Sequence, residues 1–185
     1  MISNIATGET GMLLAEHLLQ QGAGVTLLLG PQALGKVSKK IRVIRFQFFD
    51  ALRKKVIQEL GSRKYDWIIH AAAVSDFAPQ GRIKGKLSSG KKLVLALRPL
   101  PKILHDIRER AKKAKVVMFK LECGVSAKTL VLRARRAQLK AGADFVVANS
   151  LDPYRAFIVD ADGHVVSVRN KKDLVHKLTH IILNC

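Results

Sequence analysis

The run Trp67-Ile68-Ile69-His70, followed at once by Ala71-Ala72-Ala73 and then Val74-Ser75-Asp76-Phe77, sets narrow limits on what this chain can become. An apolar run of strand length that ends in small residues and then a carboxylate is how a buried parallel strand delivers its carboxyl end into a crevice. Ligands of open α/β sheets bind at that edge. Small side chains there let a ligand lie against the backbone, and Ser75 and Asp76 are the first polar groups it would meet. The same residues also suit a tight strand-to-loop corner beneath a helix, and the stretch alone leaves both readings open.

The segments before it alternate. After Gly8-Glu9-Thr10-Gly11, the positions Leu14, Ala15, Leu18 and Leu19 repeat at helical spacing until Gly22 stops the helix. Gly24 to Leu29 reads as a buried strand closed by Gly30-Pro31, Lys36 to Lys40 as a basic linker, Arg42 to Phe46 as a strand and Phe49 to Leu60 as a helix. This order predicts a Rossmann-like, doubly wound, mostly parallel sheet, formed by residues 1–185 as a single domain.

Beyond the crevice, Pro79 to Lys92 has loop composition, Leu93 to Leu97 reads as a strand, Lys102 to Lys112 as a helix and Lys115 to Phe119 as a buried strand. Ser126 is positioned to cap a helix that runs to Lys140 and ends at Gly142, and Asp144 to Asn149 is a further strand. The Asp160-Ala161-Asp162-Gly163 turn between Arg155–Val159 and His164–Val168 predicts a hairpin, and Asn170 caps a last helix, Lys172 to Leu183.

Charge narrows the ligand. The 33 Lys and Arg residues against 14 Asp and Glu give +19, and the isoelectric point is near 10.4. Such an excess attracts nucleic acid backbones or the phosphates of nucleotides and metabolites. Twelve basic residues against three acidic ones fall between Pro101 and Lys140, mostly on helical patterns where charge is a solvated face. Aromatics make up only 5% and do not interleave with the basic residues, so a single-strand stacking platform is not indicated and nucleic acid is not the expected partner. The two cysteines, Cys123 and Cys185, form no CxxC pair and no metal-spaced cluster. No apolar run reaches the ~20 residues a membrane-spanning helix needs, and no signal segment follows Met1, so a cytoplasmic protein is expected.

Two stretches suit phosphate. A glycine-rich turn leading into a helix, as at Gly8 to Gly11, leaves backbone N–H groups and the helix dipole pointing outward, although a helix start with two turn glycines looks the same in sequence. The Lys/Ser/Gly loop from Pro79 to Lys92, directly after the crevice residues, has the make-up of a phosphate-covering flap.

Six segments in order resemble the phosphopantothenate-cysteine ligase (phosphopantothenoylcysteine synthetase) family. They are Ile2-Ser3-Asn4-Ile5-Ala6-Thr7-Gly8-Glu9-Thr10-Gly11, Ala71 to Phe77, Lys86-Leu87-Ser88-Ser89, Pro101-Lys102-Ile103-Leu104, Phe119-Lys120-Leu121-Glu122 and Val147-Ala148-Asn149. The resemblance implies an enzyme of coenzyme A biosynthesis that uses ATP or CTP with Mg2+. The carboxylate of 4'-phosphopantothenate would be activated as an acyl nucleotidylate, and the amine of cysteine would displace the nucleotide. Asn4 would hold the acyl intermediate and Lys86 neutralise phosphate charge. Gly8, Gly11, Phe119 and Asn149 would bind the nucleotide, and Ala72, Ala73 and Asp76 the phosphopantothenate. A homodimer is implied, with the Arg155 to Val168 hairpin as candidate interface, and so is a separate phosphopantothenoylcysteine decarboxylase as a partner.

The pattern is departed from twice. Ala6 stands where the family usually has a hydroxyl, and the family's opening strand and glycine loop have no counterpart before Ile2, so a shortened start with the expected first strand missing is the reading. Other classes remain open. An NAD(P)-binding Rossmann oxidoreductase would want an acidic residue after the Gly24–Leu29 strand, where Gly30-Pro31-Gln32 stands. A basic nucleic-acid-binding domain, or a catalytically inactive α/β domain, would make the candidate site residues irrelevant.

Overall fold

The computed structural model describes residues 6–33, 35–81, 90, 92 and 94–185. Its centre is a five-stranded sheet in the order β3 (Trp67–His70), β6 (Lys115–Leu121), β7 (Phe145–Leu151), β8 (Tyr154–Val159), β9 (Val165–Val168). β3, β6 and β7 run parallel, whereas β8 and β9 return antiparallel as the hairpin that the Asp-Gly turn predicts. Val116, Val117, Val146 and Val147 are fully buried, because these two strands are covered on both faces and every side chain must be apolar.

Strand alternation sorts the core into two layers. On one face Val116, Met118, Val146 and Ala148 pack with α2 (Phe49–Ser62), α3 (Ile103–Arg110) and α4 (Ala127–Ala141) through Leu52, Ile103, Ile107, Leu130 and Ala134. On the other, Val117, Val147 and Ile158 meet α1 (Glu9–Gln20) and α5 (Lys171–Asn184) through Leu14, Leu18, Leu174 and Leu178. The helix ends follow their capping residues: Ser126 Oγ accepts the Thr129 N–H at 3.2 Å, Asn170 Oδ1 accepts that of Asp173 at 2.9 Å, and Gly142 closes α4 with φ 62°. Among the described residues no helix is long and apolar enough to cross a membrane.

β1 (Thr26–Leu29) and β2 (Arg42–Arg45) form a separate parallel pair. Leu28 of β1 and Ile68 of β3 pack on the same apolar cluster, yet the two strands are not hydrogen-bonded to each other. Glu59 of α2 anchors this pair. It is buried, accepts from Tyr65 Oη at 2.5 Å and pairs with Arg42 of β2, and that pairing holds its carboxyl below the usual range.

One strand differs from the sequence expectation. Residues 94–96 are not in a strand. β5 is Leu97–Pro99 and pairs antiparallel with β4 (Phe77–Pro79), outside the central sheet. Val94 is 84% exposed, so the apolar run that suggested a strand is not a core run. A ladder ending in Pro79 and Pro99 is tolerated only away from a sheet interior. The first helix also begins at Glu9 rather than Gly11.

Candidate functional site

Chain direction gathers the candidate residues at one edge. β9 runs parallel to β7, so Val168 ends at the carboxyl edge of the parallel strands and α5 begins there. Lys171, the first residue of α5, pairs with Glu9, the first residue of α1, at 2.5 Å. The N-terminus of α1 is thereby placed at the same edge as the carboxyl ends of β3, β6 and β7.

That N-terminus has no side-chain cap. Gly8 takes the N-cap position with φ 70°, and its carbonyl accepts from Met12 at 3.0 Å. Among the described residues nothing accepts from the N–H groups of Glu9, Thr10 or Gly11. Among the described residues these three donors have no acceptor, and the positive end of a 12-residue helix favours an anion. Gly8 is required twice over. Positive φ is costly for other residues, and a Cβ would sit 3.1 Å from Ala33 Cβ and 3.4 Å from Leu29 Cδ1. Gly11 meets nothing within 4 Å, so it leaves open space beside the donors.

Phe119 on β6 lies in register with Val147, and Asn149 on β7 with Leu121. Both have the parity of Val117 and Val147, which places them on the face of the sheet that α1 and α5 cover. Asn149 also gives its carbonyl to the Glu122 N–H at 3.0 Å, fixing the strand ends together.

Ala72 and Ala73 are exposed at the end of β3, and the Val74 N–H reaches the Ala72 carbonyl at 3.0 Å. The stretch is therefore both a tight corner and an open, small-residue surface at the carboxyl edge. Asp76 is paired with Lys102 Nζ at 2.5 Å, and its carbonyl accepts from Leu100 at 2.8 Å. Lys102 is the residue that sequence reasoning passed over as a site group. Its only signal was its place in Pro101-Lys102-Ile103-Leu104, and the 26-residue separation from Asp76 hid the contact. Asn4 and Lys86 lie outside the described residues.

Two further groups set the local charge. Glu122, beyond β6, is held below the usual carboxylate range by Arg133 at 2.9 Å and by Lys120 at 3.2 Å. His70, the last residue of β3, is pushed down to about 4 by burial and is neutral at physiological pH. The unfolded imidazole takes its proton near 6.5 and the folded one only near 4, so between those values the unfolded state holds more protons. Stability is therefore full above pH 6.5 and falls as the pH drops toward 4, by up to about 3 kcal/mol. Chemical denaturation of the native chain and of His70→Phe across that window checks this: the variant loses the slope, and an unchanged slope would show that His70 is not the group responsible.

Comparison with known proteins places these features in context. The family described as "DNA/pantothenate metabolism flavoprotein C-terminal domain" matches residues 1–181. A coenzyme A biosynthesis bifunctional protein CoaBC from Thermococcus kodakarensis is 36% identical over 154 residues, covering 83% of this chain and 38% of the relative's own length. The chain thus spans well under half of that protein. A DNA/pantothenate metabolism flavoprotein from Streptococcus pneumoniae superposes with TM-score 0.87 at 26% identity, covering 98% of this chain and 90% of that one. A Cab2 mutant solved in complex with phosphopantothenate-cysteine shares the fold at TM-score 0.76 and 19% identity, covering 97% of this chain and 79% of that one.

Proposed function

Because the chain belongs to the DNA/pantothenate metabolism flavoprotein C-terminal domain family, we propose that residues 1–185 act as one domain that joins 4'-phosphopantothenate to cysteine through an acyl nucleotidylate, a step of coenzyme A biosynthesis. The observation that carries this reading is the N-terminus of α1, which has no side-chain cap and whose first three N–H groups have no acceptor among the described residues, at the edge where Ala72, Ala73, Phe119 and Asn149 also lie. The likeness to the CoaBC protein and to the chain solved with phosphopantothenate-cysteine supports the substrate class.

In the first step a carboxylate oxygen of phosphopantothenate attacks the α-phosphorus of ATP or CTP, and pyrophosphate leaves with the electrons of the broken P–O bond. In the second the cysteine amine attacks the acyl carbon, the nucleoside monophosphate leaves, and the nitrogen gives up its proton. The α1 donors hold phosphate oxygens without reorganising, which is how fixed dipoles stabilise charge as it develops. Phe119 packs the nucleotide and Asn149 hydrogen-bonds it. Ala72 and Ala73 let phosphopantothenate lie close to the backbone. Asn4 holds the acyl intermediate, and Lys86 brings a compact ammonium charge that neutralises phosphate as the bond breaks.

Magnesium offsets triphosphate charge in such reactions. Three of the described carboxylates near this edge are paired, Glu9 with Lys171, Asp76 with Lys102, and Glu122 with Lys120 and Arg133. The ion would enter with the nucleotide and offset its charge. The same pairing explains Lys102, which cancels the charge of Asp76 that would otherwise repel an anionic substrate. Lys102→Met is expected to lower kcat/KM for phosphopantothenate by about 10-fold or more, the worth of one charge-assisted contact, with folding unchanged because both side chains are exposed. Steady-state kinetics with varied phosphopantothenate measures the effect, and unaltered kcat/KM would remove Lys102 from the site.

A homodimer is the proposed assembly. Among the described residues β9 is one of the two edge strands of the central sheet, and Val165 and Val166 on it are 48% and 40% exposed. A phosphopantothenoylcysteine decarboxylase is the proposed consumer of the product. The reading is tested by mass detection of the phosphopantothenate-cysteine amide with ATP and with CTP in turn. Amide that requires nucleotide and all other components supports it, and its absence with both nucleotides rejects it.

A further inference from the structure

α1 and α5 lie side by side on one face of the sheet, and they also carry a second cluster remote from the crevice chemistry. His17, in the last turn of α1, and His176 of α5 meet with ring centroids 4.5 Å apart and planes at 80°. His17 Nδ1 is sealed from solvent and has no hydrogen-bond partner among the described residues. A buried ring nitrogen without a partner costs stability, so its presence asks for an explanation. His180 is exposed on α5, four residues beyond His176 and therefore on the same helix face. Its Nδ1 faces Asn184 Nδ2 at 3.2 Å, which leaves Nε2 uncommitted. His17 and His176 thus meet at the α1–α5 seam, with His180 one turn farther along α5.

We propose that His17, His176 and His180 form a site for a divalent transition-metal ion of the zinc class, joining α1 to α5. Zinc binds imidazole nitrogen at about 2.0–2.1 Å, so two nitrogens on one tetrahedral ion sit roughly 3.3 Å apart. Rings already 4.5 Å apart between centroids reach that arrangement by side-chain rotation, and His176 is exposed and free to turn. Two histidines four apart on a helix are the pair that zinc enzymes use to chelate from one face. Glu16 lines the same cleft, but one of its oxygens is taken by the Ser38 N–H.

Among the described residues the one acid and histidine group whose ligand atoms already lie within 4.8 Å of one another, Asp160, Asp162 and His164, is spent on its turn. Asp160 Oδ1 accepts the N–H groups of Asp162, Gly163 and His164, and its Oδ2 faces His164 Nδ1 at 2.9 Å. The His17 cluster differs because a nitrogen there has nothing else to bind. An ion in it would fasten α1 against α5, the same pair of helices whose first residues meet at the carboxyl edge.

The test uses Zn2+ alone and the full chain carrying Cys123→Ser and Cys185→Ser, so that neither exposed thiol competes. Titration against a chromophoric chelator is expected to give one ion per chain with Kd of about 10 µM or tighter, together with a rise in Tm. His17→Gln and His176→Ala are each expected to weaken binding by about 10-fold or more, and His180→Ala by a smaller factor, whereas His164→Ala leaves it unchanged. Binding that survives His17→Gln and His176→Ala, or binding lost with His164→Ala, overturns the proposal. Should His17→Gln fail to fold, the exposed His176 and His180 decide the outcome, since neither is in the core.

Discussion

Gly8→Val is expected to lower nucleotide-dependent turnover by at least about 100-fold, because a displacement near 1 Å at a positioning element has that effect. Valine at φ 70° is an outlier among β-branched residues, and its Cβ would stand 3.1 Å from Ala33 and 3.4 Å from Leu29, so the start of α1 must move. The donors of Glu9, Thr10 and Gly11 move with it. Gly11→Ala separates the phosphate role from the folding role. Its Cβ meets nothing within 4 Å among the described residues, and alanine inside a helix is more favourable than glycine by roughly 0.5–1 kcal/mol. That variant is expected to be at least as stable as the native chain yet slower by about 10-fold, since the methyl fills space a phosphate oxygen needs. Denaturation curves beside initial rates check both. Full activity in Gly11→Ala would mean that nothing approaches α1 closely there.

Asp106→Ala is expected to destabilise the fold by about 2 kcal/mol, a loss read in urea midpoints at constant m. Asp106 is 3% exposed on α3 and accepts the Arg53 fork from α2 at 2.7 and 3.0 Å, with Arg110 at 3.6 Å. Which partner is left behind decides the size. Arg53 is 40% exposed and can turn to water, whereas Asp106 cannot and would keep only the longer Arg110 contact. Arg53→Met is therefore expected to destabilise more than Asp106→Ala, against the intuition that the buried member matters most. Arg53 also holds the Asp106 carboxyl below its usual range, so this stability is present at neutral pH and lost as the pH falls below the ordinary aspartate value of 3.8. Equal midpoints for the two variants would refute the stranding argument.

The parts of the fold that were legible in sequence are those with one local cause. Val116 to Phe119 and Phe145 to Ala148 are apolar without interruption because both their faces are covered, and no helix period fits them. Ser126, Gly142 and Asn170 mark helix ends by chemistry acting within three or four residues. What stayed hidden rests on contacts between distant residues. Leu97–Pro99 is a strand only because Phe77–Pro79 lies beside it, and the apolar residues before it deceived because exposure is not written in a short run. Asp106 reads as one acid on a polar helix face and is in fact nearly sealed by α2. Gly8, Gly11, Ala72, Ala73, Asp76, Phe119 and Asn149 were named as site candidates by motif order. Lys102 was not, since its meaning comes from Asp76.

If the carboxyl edge activates a carboxylate by nucleotidyl transfer, pyrophosphate must form before cysteine takes part. With ATP or CTP, magnesium and phosphopantothenate but no cysteine, a burst of pyrophosphate approaching one equivalent per site is expected, followed by turnover only when cysteine is added. No pyrophosphate beyond that formed from nucleotide alone, with either nucleotide, would show that this edge does not carry out that chemistry.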